Sequence, residues 1–133
     1  STAGMATHTE HLLIRLVVSA LHPHAQVDFP AVAAICEGAA SHPAEVPEAL
    51  TMLVAVLAQQ ELHPTDARNT TQDYLKALTI LNELVSNSAV VTQLRSTPRA
   101  REALLRLQAF KGGGLGSQTD ENIRMFANEV CRI

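Results

Sequence analysis

Apolar residues recur at three- and four-residue spacing through most of this chain, and the pattern stops only at short stretches built on proline or glycine. That is the pattern of successive amphipathic helices. Thr7 followed by Glu10 makes a capping box, and Leu12, Leu13, Leu16, Val17, Ala20 and Leu21 then repeat at helical spacing, so a first helix is predicted to about Leu21. Pro23 lacks a donor and pushes His22 out of the α region, so His22 to Val27 cannot continue it. Asp28 is placed to cap a second helix with Phe29 and Pro30 in its first turn and Val32, Ile35, Cys36 and Ala39 as its apolar stripe.

His42-Pro43 ends that element, and a third helix near Pro47 buries Leu50, Leu53, Val54 and Leu57. Leu62 to Asp66 is the next breaker. Thr70 with Asp73 opens the longest apolar run, in which Tyr74, Leu75, Ala77, Leu78, Ile80, Leu81, Leu84 and Val85 cover more than half the helix surface. Such a helix is predicted to be the core pillar, wrapped by its neighbours. After Asn87 and Ser88 a short helix presents Val90, Val91 and Leu94, and Pro98 starts another through Ala103, Leu104, Leu107 and Phe110. Lys111 to Ser117, rich in glycine, reads as a flexible loop, and Thr119 or Asp120 as the cap of a last helix burying Ile123, Phe126, Ala127, Val130 and Cys131. The expectation is an all-α fold of seven helices in a short right-handed superhelical stack of the α-solenoid kind, without a copied repeat. Residues 1–6 read as a tag or linker, and 7–133 as a single domain.

Composition agrees with that picture. The 133 residues are 47% hydrophobic with three Phe, one Tyr and no Trp, so the core is aliphatic, which suits close-packed helices better than a β-sandwich. No run of 18 apolar residues exists, and the start STAGMATHTE lacks the basic and apolar regions of a secretory signal. Cys36 and Cys131 sit inside helical patterns without metal or redox spacing and read as reduced, buried and structural, so a cytoplasmic setting is expected.

The formal charge of −3 is unevenly spread: residues 1–67 hold one base, Arg15, against seven acids, while residues 68–133 hold nine bases against six acids. Phosphate backbones need a continuous basic stripe, so no nucleic-acid partner is expected. Candidate chemistry is thin. His8, His11, His22, His24, His42 and His63 come without HExxH or a Cys/His quartet, so no metal and no cofactor is expected. Gly112 to Gly116 lacks the Gly-Lys-Ser/Thr ending of a phosphate loop and follows a helix, and no GxSxG elbow accompanies the serines. No catalytic residue is assigned, and the expectation is a chain that is not an enzyme.

Three segments, in order, resemble the ENTH/VHS superfamily of helical membrane-trafficking modules. Val27-Asp28-Phe29-Pro30 through Ile35-Cys36-Glu37 is similar to the second VHS helix. Lys76-Ala77-Leu78-Thr79-Ile80-Leu81-Asn82-Glu83-Leu84-Val85-Ser86-Asn87 is similar to the central helix of both branches. Leu107-Gln108-Ala109-Phe110, a glycine-rich loop, and Asn122-Ile123-Arg124 followed by Ala127 resemble the ENTH ending. The resemblance covers about residues 8–133.

It implies a non-catalytic interaction or scaffold domain of a coat accessory protein, monomeric, with adaptor or cargo proteins as partners. The longer protein would be cytoplasmic and peripheral to trans-Golgi and endosomal vesicles. Three family activities can then be weighed. Lipid-binding relatives use a basic cluster in the first loop and around the third and fourth helices; here only His63, Arg68 and Lys76 remain, so direct membrane binding is expected to be weak or absent. Ubiquitin-binding relatives expose a Trp at the start of the second helix and an apolar residue one turn on; the matching positions are Phe29 and Ala33, but Ala33 supplies little area to bury, so strong ubiquitin binding is not expected and the preferred reading of Phe29 is a packed helix staple. Dileucine-reading relatives use a groove between their sixth and eighth helices, and the seven helices expected here leave that groove without a wall, so strong dileucine binding is not expected. Here Arg95, Arg99, Arg101 and Arg106 would suit an acidic peptide, or form a solvated face with Glu102 to Arg106 as an i,i+4 pair. The alternative function is a phosphoinositide-binding membrane-recruitment module.

Overall fold

The computed structural model describes residues 10–59 and 67–133, and the order of elements there is entirely helical: α1 (Leu12–Leu21), α2 (Phe29–Ser41), a 3₁₀ turn (Pro43–Glu45), α3 (Val46–Ala58), α4 (Ala67–Leu84), α5 (Ser88–Arg95), α6 (Pro98–Leu107) and α7 (Ser117–Cys131). No strand occurs among the described residues. Thr7, His8, the Leu62–Asp66 break and His63 lie outside them.

Local chemistry explains most boundaries. Asp28 Oδ1 accepts the Ala31 N–H at 3.0 Å, which satisfies one orphan donor of α2, and Pro30 sits where its missing donor does no harm. Asn87 Oδ1 serves α5 in the same way through the Ala89 N–H at 2.9 Å. Pro98 opens α6 at its first position. The start of α1 is different: His11 takes a left-handed φ of 59°, and the Ile14 N–H donates to Glu45 Oε1 at 3.2 Å, 31 residues away. The cap of α1 is thus supplied by the turn after α2.

Helices neighbouring in sequence pack as pairs. α1 lies against α2, α3 against α4, α5 against α6, and α6 against α7. Successive pairs then meet through α1 with α3, α2 with α4, α3 with α6 and α4 with α7. The core at these joints is aliphatic: Leu13, Ile35, Leu53, Leu57, Leu78, Ile80, Leu81, Leu107 and Ile123 are all fully enclosed. Each such side chain contributes about 1.5–3 kcal/mol through apolar burial.

Several expectations are corrected. There is no single pillar, because α3 packs against α1, α4, α5 and α6, while α4 packs against α1, α2, α3 and α7, so two helices share the centre. α3 buries Val46, Ala49, Leu50, Leu53, Val54 and Leu57, a stripe as continuous as that of α4. α4 begins at Ala67, a turn before the predicted Thr70. α6 ends at Leu107, leaving Phe110 in the connection. Neither cysteine is fully buried; both are half-buried and free.

The glycine-rich connection is a pinned strap rather than a slack loop. α7 starts at Ser117, so Asp120 lies inside its first turn and does not cap it. Its carboxylate instead accepts the N–H groups of Gly112 at 3.0 Å and Gly113 at 3.2 Å. Thr71 Oγ1 donates to the Gly113 carbonyl at 2.8 Å, and Arg124 Nη1 donates to the Phe110 carbonyl at 2.7 Å. Phe110 meets Tyr74 edge-on, with ring centroids 5.6 Å apart, and the Tyr74 hydroxyl donates to the Gln59 carbonyl at the end of α3.

Candidate functional surfaces

Phe29 stands at the first position of α2 with 85% of its surface in water. The helix-staple reading is therefore overturned. Ala33, one turn on, is also exposed, and both border a shallow hollow of about 420 Å³ whose other walls include Val27, Val32, Cys36 and Thr79. Apart from Val27, in the connection before α2, these side chains arrive from α2 and α4, which pack on each other. Burial, and secondly the negative charge of Glu83, push the Cys36 thiol above its ordinary 9.0. Cys36 and Thr79 were not singled out from sequence as parts of this surface. The signal for Cys36 was its spacing from Phe29 and Ala33 along one helix face.

Of the three remnants of a lipid site, Lys76 and Arg68 lie on α4, eight residues apart. Lys76 is half-buried, and its Nζ donates to the His22 carbonyl at 2.9 Å. The ammonium thereby holds the α1–α2 connection on α4, beside a hollow of about 490 Å³ lined by Pro23, His24, Gln26 and Gln72. Next to Lys76 along α4, Asp73 is shifted upward by burial, partly offset by the Lys76 charge. Arg68 is exposed in the first turn of α4, with its stem under Gly114 of the strap. His63 lies outside the described residues.

The arginines divide into two groups. Arg106 donates through Nη2 to the Leu57 carbonyl, one of the orphan acceptors at the end of α3. That contact takes the place of the expected Glu102–Arg106 pair, although Arg106 remains exposed. Arg95 and Arg101 instead flank a narrow cleft of about 110 Å³ whose floor is Leu94, Ala100, Leu104, Val130 and Ile133. Arg95 Nε donates to the Ile133 carbonyl at 3.1 Å across this cleft, and Arg99 is exposed close by in sequence. The α7 side of the cleft was not anticipated as a binding wall; Val130 was read only as core.

Among the described residues no cluster of three or more metal-ligating side chains occurs, and no helix is long and apolar enough to cross a membrane. No protein-family model, curated protein or solved structure matches the chain.

Proposed function

We propose that this chain is a non-catalytic docking module of the ENTH/VHS type, serving a vesicle-coat accessory protein as an interaction or scaffold domain. The exposed pair Phe29 and Ala33 above the α2–α4 hollow is the observation that carries the reading. A large aromatic ring held in water at a helix start, next to apolar walls, is stabilised when another protein covers it. Two further features support it. The three segments that resemble the superfamily fall on α2, on α4, and on α6, the strap and α7, and the pairwise packing suits a right-handed superhelical stack. The pairing of a VHS-like front with an ENTH-like back resembles the VHS/ENTH-like domain of tepsin, and on that resemblance the partners are adaptor or cargo proteins at trans-Golgi and endosomal vesicles.

Weak or absent lipid binding belongs to the same proposal, because the Lys76 ammonium is already occupied by the His22 carbonyl and few other bases are near. Proximity labelling in cells tests the whole. The wild-type domain is expected to label coat or adaptor proteins, and Phe29→Asp to lose most of that set while keeping its fold. Equal labelling by both forms would remove Phe29 from the account. Co-sedimentation with phosphoinositide vesicles, salt-sensitive and lost in Lys76→Glu, would replace the docking module with a membrane-recruitment module.

A further inference from the structure

Thr97-Pro98 is the one place in the chain where Ser or Thr precedes proline, and it occupies the short turn between α5 and α6. Thr97 is partly exposed and extended, with φ −115° and ψ 94°. An extended threonine followed by proline is the substrate shape that proline-directed kinases bind, since proline itself holds the preceding residue out of the α region. Arg95, Arg99 and Arg101 lie within four residues of it and are all exposed. We propose that Thr97 is a phosphorylation site for a proline-directed serine/threonine kinase, and that the arginines around it hold the phosphate, which neutralises the cationic rim of the α5–α6–α7 cleft.

The transfer is an ordinary phosphoryl step. The kinase supplies ATP; the bond from Thr97 Oγ1 to the γ-phosphorus forms as the bond from that phosphorus to the β,γ-bridging oxygen breaks. ADP leaves, and the hydroxyl proton passes to the kinase's catalytic base. At present the hydroxyl donates to the Gln93 carbonyl at 2.8 Å. A phosphate has no donor for that carbonyl and is repelled by the negative end of α5, so the side chain turns about χ1 toward α6. On that side Thr97 makes no cap bond now, and Arg99 and Arg101 offer charge-assisted donors. Arg95 and Arg101 are the same guanidiniums that flank the cleft. The consequence for docking rests on the proposed function above; the modification itself does not.

The test incubates the folded chain with ATP and two unrelated proline-directed kinases, beside a synthetic peptide of residues 90–102. One phosphoryl group on Thr97 is expected by intact mass and fragmentation, none on Thr97→Ala, and one on Thr97→Ser. By ³¹P titration the second ionisation is expected below its usual value of about 6, moving back toward it in the Arg99→Ala/Arg101→Ala double variant. A modified peptide beside an unmodified folded chain would overturn the site. A titration that is the same with and without the two arginines would overturn the embrace. Both readouts are independent of any docking partner, so loss of the docking reading would leave them unchanged.

Discussion

Gly113 shows how a single position can be decided by space rather than by backbone angle. A Cβ there would sit 2.7 Å from Asp120 Oδ1, 2.7 Å from Thr71 Oγ1 and 2.8 Å from Phe110 Cε2, closer than real side chains approach. Gly113→Ala must therefore displace the carboxylate that pins the strap, and a loss of about 2–3 kcal/mol in urea unfolding is expected. At Gly112 a Cβ meets nothing within 4 Å, but φ is +72°, so Gly112→Ala is expected to cost only about 1–2 kcal/mol, from backbone strain alone. Equal losses at the two positions would contradict this account. Cys36 offers a pH-dependent counterpart. The folded chain keeps its thiol proton over a range where the unfolded chain has lost it, so the stability tied to this group is intact below pH 9.0 and declines as pH rises through the higher folded value. Alkylation of Cys36 at mildly alkaline pH is expected to be slower in the folded chain than in urea, and faster in Glu83→Gln than in wild type. An unchanged rate in Glu83→Gln would remove Glu83 as a cause.

At the level of elements, the ends of helices carry the long-range polar contacts. Arg106 closes the end of α3 from α6, and Glu45 closes the start of α1 from the 3₁₀ turn. Glu45→Ala is expected to lower stability by about 1 kcal/mol, with hydrogen exchange rising in the first turn of α1 and not in α3. Uniform exchange across both helices would count against the cap. Such contacts mark the limit of what was legible in the chain. The helices themselves could be read because their breakers act locally: Asp28, Pro30, Asn87 and Pro98 each work within three residues of themselves. Glu45 could not be read as the cap of α1, nor Arg106 as the cap of α3, because the groups they satisfy are distant in sequence. The strap was misread for the same reason, since Thr71, which holds Gly113, lies 42 residues before it. Phe29 was ambiguous because a packed aromatic and an exposed anchor at a helix start have the same local pattern.

For the whole molecule, the shared centre has a measurable signature. Leu53 on α3 and Leu81 on α4 are both fully enclosed, so Leu53→Ala and Leu81→Ala are each expected to cost about 2–5 kcal/mol, whereas Phe29→Ala should leave the midpoint nearly unchanged. A fold resting on α4 alone would instead lose far more at Leu81 than at Leu53. The contact between Glu45 and Ile14 also has a bearing on the order of assembly. The donor amide leaves the ribosome before its acceptor, which emerges 31 residues later, after α2. Helix α1 is therefore synthesised before its own cap, and its opening turn waits, open at one end, for a residue that the growing chain has yet to deliver.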